Sequence, residues 1–193
     1  MQGNKRAVFV DRDGTIIEDT GYISSSKEVS FIPGSIAAVK RLNQAGFQVI
    51  VITNQSGVAR GIFSEDRLQT VDKHIQKHVL SGGAHIDAFY YCPHHPEHGV
   101  YPYRQACECR KPEPGLIKKA AREHQIDLSR SFMVGDHSCD IQAGKKAGVR
   151  TVFVLTGHGS REKEKLAERP DHTAANLSAA VDWILKEDKK WKA

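Results

Sequence analysis

Residues 8–17, VFVDRDGTII, constrain the fold more than any other stretch of this 193-residue chain. Three apolar residues in a row, two of them β-branched, predict a short buried strand. Two carboxylates, Asp11 and Asp13, follow at once, and Gly14 allows the sharp turn that ends the strand. Because alternate residues of an extended chain share a face, both acids can point the same way. The stretch therefore predicts paired acids at the carboxyl end of a strand, where open α/β sheets bind their ligands.

Two adjacent acids of this kind are suited to phosphoryl transfer. A carboxylate can act as a nucleophile and form an acyl phosphate. Like charges this close repel each other unless a cation binds or one acid is protonated, and Mg²⁺ is the cation that prefers oxygen ligands and phosphates. The alternative is a metal-free turn with two solvated acids, since Asp and Gly are common in turns. The remaining motifs of the chain decide between these two interpretations.

Apolar runs alternate with helical patterns along the rest of the chain. Further strands are predicted at 47–54, 86–92, 131–136 and 150–157, and helices at 35–46, 64–80, 114–126, 140–148 and 177–191. This alternation predicts an α/β fold, a Rossmann-like and mainly parallel sheet flanked by helices, in a single domain over 1–193. Only 39 residues (14–52) separate Asp13 from Thr53. They must hold a whole helix, so we expect no large cap domain over the site.

Charge and hydropathy narrow the class of protein. The formal net charge of +5 suits an anionic substrate and is also compatible with nucleic acid. No apolar run approaches the ~20 residues that span a membrane, so no membrane partner is expected. The N-terminal residues carry no secretion-signal pattern, so a cytoplasmic protein is expected. Nothing in the sequence requires a multimer, and a monomer is expected.

Three more segments place polar groups at predicted strand ends. Thr53 could hold phosphate oxygens with its hydroxyl, or could simply cap its strand. Lys111 could neutralise a transferring phosphoryl group and Arg110 could bind a phosphate with two bonds; the alternative is that both are solvated surface charges. Asp136 is a third oxygen ligand for Mg²⁺ or the N-cap of the next helix, and Asp140 is expected behind it.

A cysteine-rich segment predicts a second metal. Two pairs of ligands, each separated by one residue, flank a twelve-residue spacer (95–106). Three thiolates and one imidazole suit tetrahedral Zn²⁺, and four protein ligands indicate a closed, structural site. His95 and His98 are alternative nitrogen ligands, and free buried thiols are the alternative to a metal. Cys139 lies outside the pattern and is expected to be a plain buried thiol. The predicted zinc ligands are Cys92, His94, Cys107 and Cys109.

The motifs DRDGT, TNQSG, RKP and GDHSCD, in this order and spacing, resemble those of the haloacid dehalogenase superfamily of Mg²⁺-dependent phosphatases, over nearly the whole chain. The resemblance implies that Asp11 attacks phosphorus, and that Asp13 protonates the leaving oxygen and then activates water. It implies that Mg²⁺ is held by Asp11, the backbone carbonyl of Asp13, and Asp136. It also implies that Thr53 and Lys111 bind the transferring phosphoryl group.

Within the superfamily, the zinc segment is similar to that of sugar-bisphosphate phosphatases and, in a shorter version, of histidinol-phosphate phosphatases. The phrase TNQSGVARG, the long spacer and the segment EDTGYISSSKEVSFIPG resemble the sugar-bisphosphate enzymes. One departure is His137, at a position where those enzymes often have lysine. The resemblance implies these substrate contacts: Asp11, Arg12, Asp13, Asp19, Thr20, Gly21, Tyr22, Thr53, Asn54, Gln55, Ser56, Arg110, Lys111 and His137.

Two other classes compete with a small-molecule phosphatase. A polynucleotide 3′-phosphatase shares the DxDGT-type start and the TNQ-type second motif, and a non-catalytic zinc module could bind nucleic acid. Neither a basic stripe nor stacking aromatic residues are evident near the motifs. Paired acids at strand ends are also unfavourable near DNA phosphates without Mg²⁺. The expected partner is therefore a small sugar bisphosphate and not nucleic acid.

Overall fold

The computed structural model describes residues 5–192. Within this range, six parallel strands form one sheet in the order β3-β2-β1-β4-β5-β6. The strands are β1 Ala7–Val10, β2 Gln48–Asn54, β3 Ala88–Cys92, β4 Phe132–Gly135, β5 Arg150–Val154 and β6 His172–Ala174. The helices are α1 Ser35–Gln44, α2 Glu65–Ser81, α3 Gly115–His124, α4 Ser138–Ala147, α5 Gly159–Glu162 and α6 Leu177–Lys192.

Residues 1–4 and 193 are outside the described range. The expectation that the chain starts without a secretion signal rests partly on residues 1–4, so it falls outside the described residues. None of the helices in the described part of the chain is both long and apolar enough to cross a membrane.

Strand β1 lies at the centre of the sheet because its residues are apolar on both faces. All four are fully buried, as expected for a parallel strand covered by helices on either side. Val10 is in register with Val51 of β2 on one side and with Val134 of β4 on the other. The strand order reverses at this point, and a crevice at such a reversal is the usual ligand site of an open α/β sheet.

The alternation of side chains along β1 divides the core into two layers. Val8 and Val10 pack in the layer that contains Leu42 of α1, Ile75 of α2 and Val181 of α6. Ala7 and Phe9 pack in the opposite layer, with residues of α3 and α4. Helices therefore cover both faces of the sheet, and the predicted α/β fold is confirmed.

The ends of the helices follow their local sequence. Ser64 caps α2, and its hydroxyl accepts a hydrogen bond from the Arg67 amide at 3.3 Å. Gly148 ends α4 in the left-handed conformation, at φ +80°. Between β1 and α1, the described chain contains only one short 3₁₀ turn, Ser26–Glu28. The expectation of a site without a large cap is confirmed.

The sequence patterns missed two elements, β6 and α5. Strand β6 has three residues, too few to show an alternating pattern, and it becomes a strand by pairing with β5, where Val154 is in register with Ala174. Helix α5 has four residues and lies in a polar segment. Both elements are too short for sequence periodicity to predict them.

Candidate active site and metal cluster

The carboxyl ends of β1, β2 and β4 open into a cleft of 780 Å³. All the predicted substrate contacts except Arg12 and Thr20 line this cleft. They are Asp11, Asp13, Asp19, Gly21, Tyr22, Thr53, Asn54, Gln55, Ser56, Arg110, Lys111 and His137. The structure therefore brings together residues from five separate segments of the sequence.

Lys111 is a buried cation at the base of this cleft, with 3% of its surface exposed. Its ammonium group donates to Asp11 Oδ1 at 2.8 Å and to the Ile52 carbonyl at 2.8 Å, and lies 2.6 Å from Asp140 Oδ1. Burial opposes the charge of Lys111, but the carboxylates of Asp11 and Asp140 outweigh it and raise its pKa. The group is therefore a fixed positive charge, as a phosphoryl group in transfer requires.

Three buried carboxylates surround this cation and form what we call the acid pocket, namely Asp11, Asp136 and Asp140. One oxygen from each lies within 4.8 Å of the others. Burial raises the pKa of Asp11 to about 7, although Lys111 opposes the shift. Burial, followed by the charge of Asp11, raises the pKa of Asp136 to about 8. A buried set of oxygen ligands with excess negative charge fits Mg²⁺, which would relieve this repulsion.

Asp13 is held by two side chains on the side away from the acid pocket. Gln55 Nε2 donates to Asp13 Oδ2 at 2.8 Å, and Arg12 Nε donates to the same oxygen at 3.1 Å. Arg12 is 1% exposed, and its Nη1 donates to Asp72 Oδ1 of helix α2 at 3.0 Å. Because successive residues of an extended chain alternate in direction, Arg12 points into the protein while its neighbours face the cleft. Its side chain supports Asp13 and does not line the cleft.

Asn54 fixes the backbone of Lys111 although the two residues are far apart in sequence. Its Nδ2 donates to the Lys111 carbonyl at 3.0 Å, and its Oδ1 accepts from the Lys111 amide at 3.0 Å. The adjacent Thr53 is buried, and its hydroxyl accepts from Gln55 Nε2 at 2.8 Å. The end of β2 therefore positions both the buried cation and the residues around Asp13.

The predicted zinc ligands meet in one cluster next to the end of β3. The Sγ atoms of its three cysteines lie 3.1–3.5 Å apart. His94 Nδ1 lies 3.3 Å from Cys109 Sγ and 3.8 Å from Cys92 Sγ. Sulfurs each ~2.3 Å from a tetrahedral zinc would be about 3.8 Å apart, so the four groups could hold one ion after a small expansion. His95 is outside the cluster and accepts from two amides of its own loop.

Two features of the site differ from the sequence expectations or were missing from them. Cys139, expected as a plain buried thiol, is partly exposed and lines the cleft, and desolvation of its thiol raises its pKa. Residues 156–158, predicted partly as strand and otherwise without a role, contact the acid pocket: the His158 amide donates to Asp136 Oδ2 at 2.7 Å. The glycine at position 157 is the sequence feature that indicates a tight turn there, and its φ in the structure is +55°.

The charge pattern of this sheet edge, several buried acids around one buried lysine, suits a phosphoryl group that arrives together with a divalent metal. The fold and the site together define a phosphoryl-transfer hydrolase of the haloacid dehalogenase type.

Comparison with known proteins agrees with this class. The HAD-hydrolase-like family model matches residues 108–180. The D-glycero-beta-D-manno-heptose-1,7-bisphosphate 7-phosphatase of Photorhabdus laumondii is 41% identical over 182 residues, 93% of this chain and 97% of its own. The enzyme of the same name from Escherichia coli K12 is 41% identical over 177 residues, 91% of this chain and 93% of its own. The chain belongs to this family of heptose-bisphosphate phosphatases.

A solved structure is also similar to this chain over most of its length. The D,D-heptose 1,7-bisphosphate phosphatase of B. bronchiseptica, complexed with magnesium and phosphate, superposes with a TM-score of 0.86 at 33% identity. The match covers 94% of this chain and 99% of that chain.

Replacing Asn54 with Ala should lower kcat by roughly 10- to 100-fold, because two backbone hydrogen bonds that fix Lys111 are lost and a small displacement of a catalytic group is costly. Phosphate release under saturating substrate measures this effect. Asn43 provides a matched control, because it makes the same pair of hydrogen bonds to the backbone of His85, away from the cleft. An Asn54→Ala variant as active as Asn43→Ala would contradict the positioning role.

Replacing Cys107 with Ser should lower the zinc content of the purified protein from about one ion per chain and raise KM, because the cluster adjoins Arg110. Atomic absorption and phosphate-release kinetics measure the two effects. Cys139→Ser is the control for zinc content, since this cysteine lies outside the cluster. Unchanged kinetics in a zinc-free Cys107→Ser protein would refute the coupling between the cluster and the cleft.

Proposed function

We propose that this chain is a Mg²⁺-dependent phosphatase that removes the 7-phosphate from D-glycero-β-D-manno-heptose 1,7-bisphosphate, for the synthesis of nucleotide-activated heptose. The observation that carries the proposal is the buried ion pair between Lys111 Nζ and Asp11 Oδ1, 2.8 Å long, at the carboxyl end of the central strand. The family to which the chain belongs supports the choice of substrate, because its members are named for this sugar and this phosphate position.

Asp11 is the proposed nucleophile. Lys111 occupies one of its carboxylate oxygens, which leaves the other to attack phosphorus and form an aspartyl-phosphate as the bond to the sugar oxygen breaks. Asp13 gives its proton to that sugar oxygen. It then takes a proton from a water molecule, which attacks phosphorus, releases inorganic phosphate and restores the Asp11 carboxylate. Arg12 and Gln55 hold Asp13 in place for both proton transfers.

The proposed Mg²⁺ ligands are Asp11, the backbone carbonyl of Asp13, and Asp136. When bound, the cation neutralises charge on the phosphoryl oxygens and on the acid pocket. Asp140 is the counter-ion that keeps Lys111 charged and in place. Thr53 and Lys111 are the proposed contacts for the transferring phosphoryl group.

The proposed zinc ion is structural, held by Cys92, His94, Cys107 and Cys109. Its cluster leads directly into Arg110, whose Nη1 donates to the His94 carbonyl at 3.2 Å. Arg110 lines the cleft, where a second phosphate of the substrate would need a cation besides Lys111. The other cleft-lining residues among the predicted contacts remain proposed substrate contacts. Arg12 supports the site from behind, and Thr20 belongs to the turn at the mouth of the cleft.

We also propose that the enzyme is a single-domain, cytoplasmic monomer that acts on a small molecule and not on nucleic acid. The relatives support this choice of partner, because they are named for a small sugar bisphosphate.

A panel of four substrates tests the proposal. With Mg²⁺ present, we expect the β anomer of heptose 1,7-bisphosphate to exceed the α anomer, histidinol phosphate and a 3′-phosphorylated DNA oligomer in kcat/KM. The expected lead is more than about tenfold, roughly 1.4 kcal/mol of transition-state discrimination. Phosphate release measures all four rates. A lead for histidinol phosphate or DNA would refute the substrate assignment and leave the phosphatase class intact.

Replacing Asp11 with Asn should lower kcat by roughly a thousandfold or more, because the attacking carboxylate is removed. The fold should be retained, since Lys111 keeps Asp140 as a counter-ion. Phosphate release and thermal unfolding measure the two effects. Asp66→Asn, an exposed acid in the first turn of α2, is the control. Turnover near wild type in Asp11→Asn would refute the nucleophile assignment.

A further inference from the structure

The turn after β5, residues 155–158, is fixed against the acid pocket by one side-chain and one backbone hydrogen bond. The hydroxyl of Thr156 donates to the Gly14 carbonyl at 2.6 Å, and the His158 amide donates to Asp136 Oδ2 at 2.7 Å. A Cβ atom on Gly157 would lie 2.2 Å from Asp136 Oδ2 and 2.5 Å from Gly14 Cα. The turn therefore packs as closely against the acid pocket as a backbone can, and its position is set by that contact.

The side chain of His158 contacts a different part of the cleft. Its Nε2 lies 2.9 Å from Asp19 Oδ2. The other oxygen of Asp19 accepts from the Gly21 amide at 2.8 Å, and Gly21 has a φ of +103°. The carboxylate of Asp19 thus organises the turn Asp19–Tyr22, and His158 attaches this turn to the opposite side of the cleft.

In the described part of the chain, the Asp19–Tyr22 turn is also held at its end by buried Ile23, whose amide donates to the Gly21 carbonyl at 3.1 Å. Tyr22 is 48% exposed, and the guanidinium of Arg60 lies 5.9 Å from the centre of its ring. The nearby His137 does not compete for Asp19, because its Nε2 lies 3.0 Å from Glu162 Oε1. The hydrogen bond from His158 therefore joins the turn directly to the segment that packs against the acid pocket.

We infer that His158 is a positioning residue for substrate recognition: it holds the Asp19–Tyr22 turn at a fixed distance from the acid pocket. The inference rests on the proposed function in that this turn contacts the part of the substrate that is not transferred. A pre-ordered turn lowers the entropy cost of binding. His158 contributes its backbone amide to Asp136 and its side chain to Asp19, so the two roles can be separated by substitution.

The variant His158→Ala removes the imidazole and keeps the backbone amide. We expect KM for heptose 1,7-bisphosphate to rise about tenfold while kcat stays within about twofold, because the group acts on binding and not on the reacting atoms. The inhibition constant of inorganic phosphate should not change, because in the proposed mechanism phosphate binds at the acid pocket and Lys111. His158→Gln, which can place an N–H near the position of Nε2, should recover part of the lost affinity.

Hydrogen exchange gives a measurement that does not depend on turnover. In the ligand-free protein, peptides spanning residues 18–23 should exchange faster in His158→Ala than in wild type, because the Gly21 amide loses its ordered acceptor. His85→Ala is the matched control. It breaks another His–Asp pair, in which His85 Nε2 lies 3.7 Å from Asp87 Oδ1, away from the cleft. This variant should change neither KM nor the exchange of that segment.

A double-variant comparison tests whether His158 acts through Asp19. In an Asp19→Ala background, His158→Ala should raise KM no further. An equal rise in both backgrounds, or an unchanged KM in a folded His158→Ala protein, would overturn the inference. A loss of kcat at constant KM would overturn it as well. If wild type hydrolyses a different phosphate ester best, the proposed function fails, and the same comparison on that ester still decides the role of His158.

Discussion

The site depends on one buried positive charge. Lys111 reaches Asp11, which is 100 residues away in sequence, and also contacts Asp140. Without the ammonium group, the acid pocket would hold three carboxylates in a region of low dielectric, and their repulsion would be relieved only by protonation or by a metal. With it, Asp11 keeps a partner before any substrate arrives. Burial is the main cause of the raised pKa values of Asp11 and Asp136, and the neighbouring carboxylates add to it although Lys111 opposes the shift. Such a set of buried oxygen ligands suits a divalent cation.

Two separate sets of contacts position Lys111. The cysteine and histidine cluster joins the end of β3 to the segment just before Arg110, so a long irregular loop returns to the cleft at a defined point. Asn54 then fixes the backbone of Lys111 with two hydrogen bonds. The cluster limits where the segment around Lys111 lies, and the Asn54 hydrogen bonds set the register of that segment against β2. A loop of this length has few apolar side chains to order it, which explains why polar contacts perform this task.

The strand-end acids were predictable because their signals are local. A β-branched apolar run identifies a buried strand, and Asp11 and Asp13 follow it directly. The ligand spacing of the cluster is also a local pattern, and the structure brings those four groups together. Arg12 shows the limit of this reasoning. The family resemblance implies that Arg12 contacts the substrate. The structure pairs its side chain with Asp72 on α2, and no sequence pattern near residue 12 predicts that partner.

Local patterns were enough to predict the α/β fold, the buried first strand and the acids that follow it, because apolar periodicity and turn chemistry act over a few neighbouring positions. Folding of the whole chain decided which distant groups meet. The contacts of Lys111 with Asp140 and of His158 with Asp19 each join different loops at the strand ends. Such pairs depend on the order of strands and the packing of helices around them. The energies of these pairs come from charged and polar groups that folding brings together, so no single sequence segment predicts the pairs.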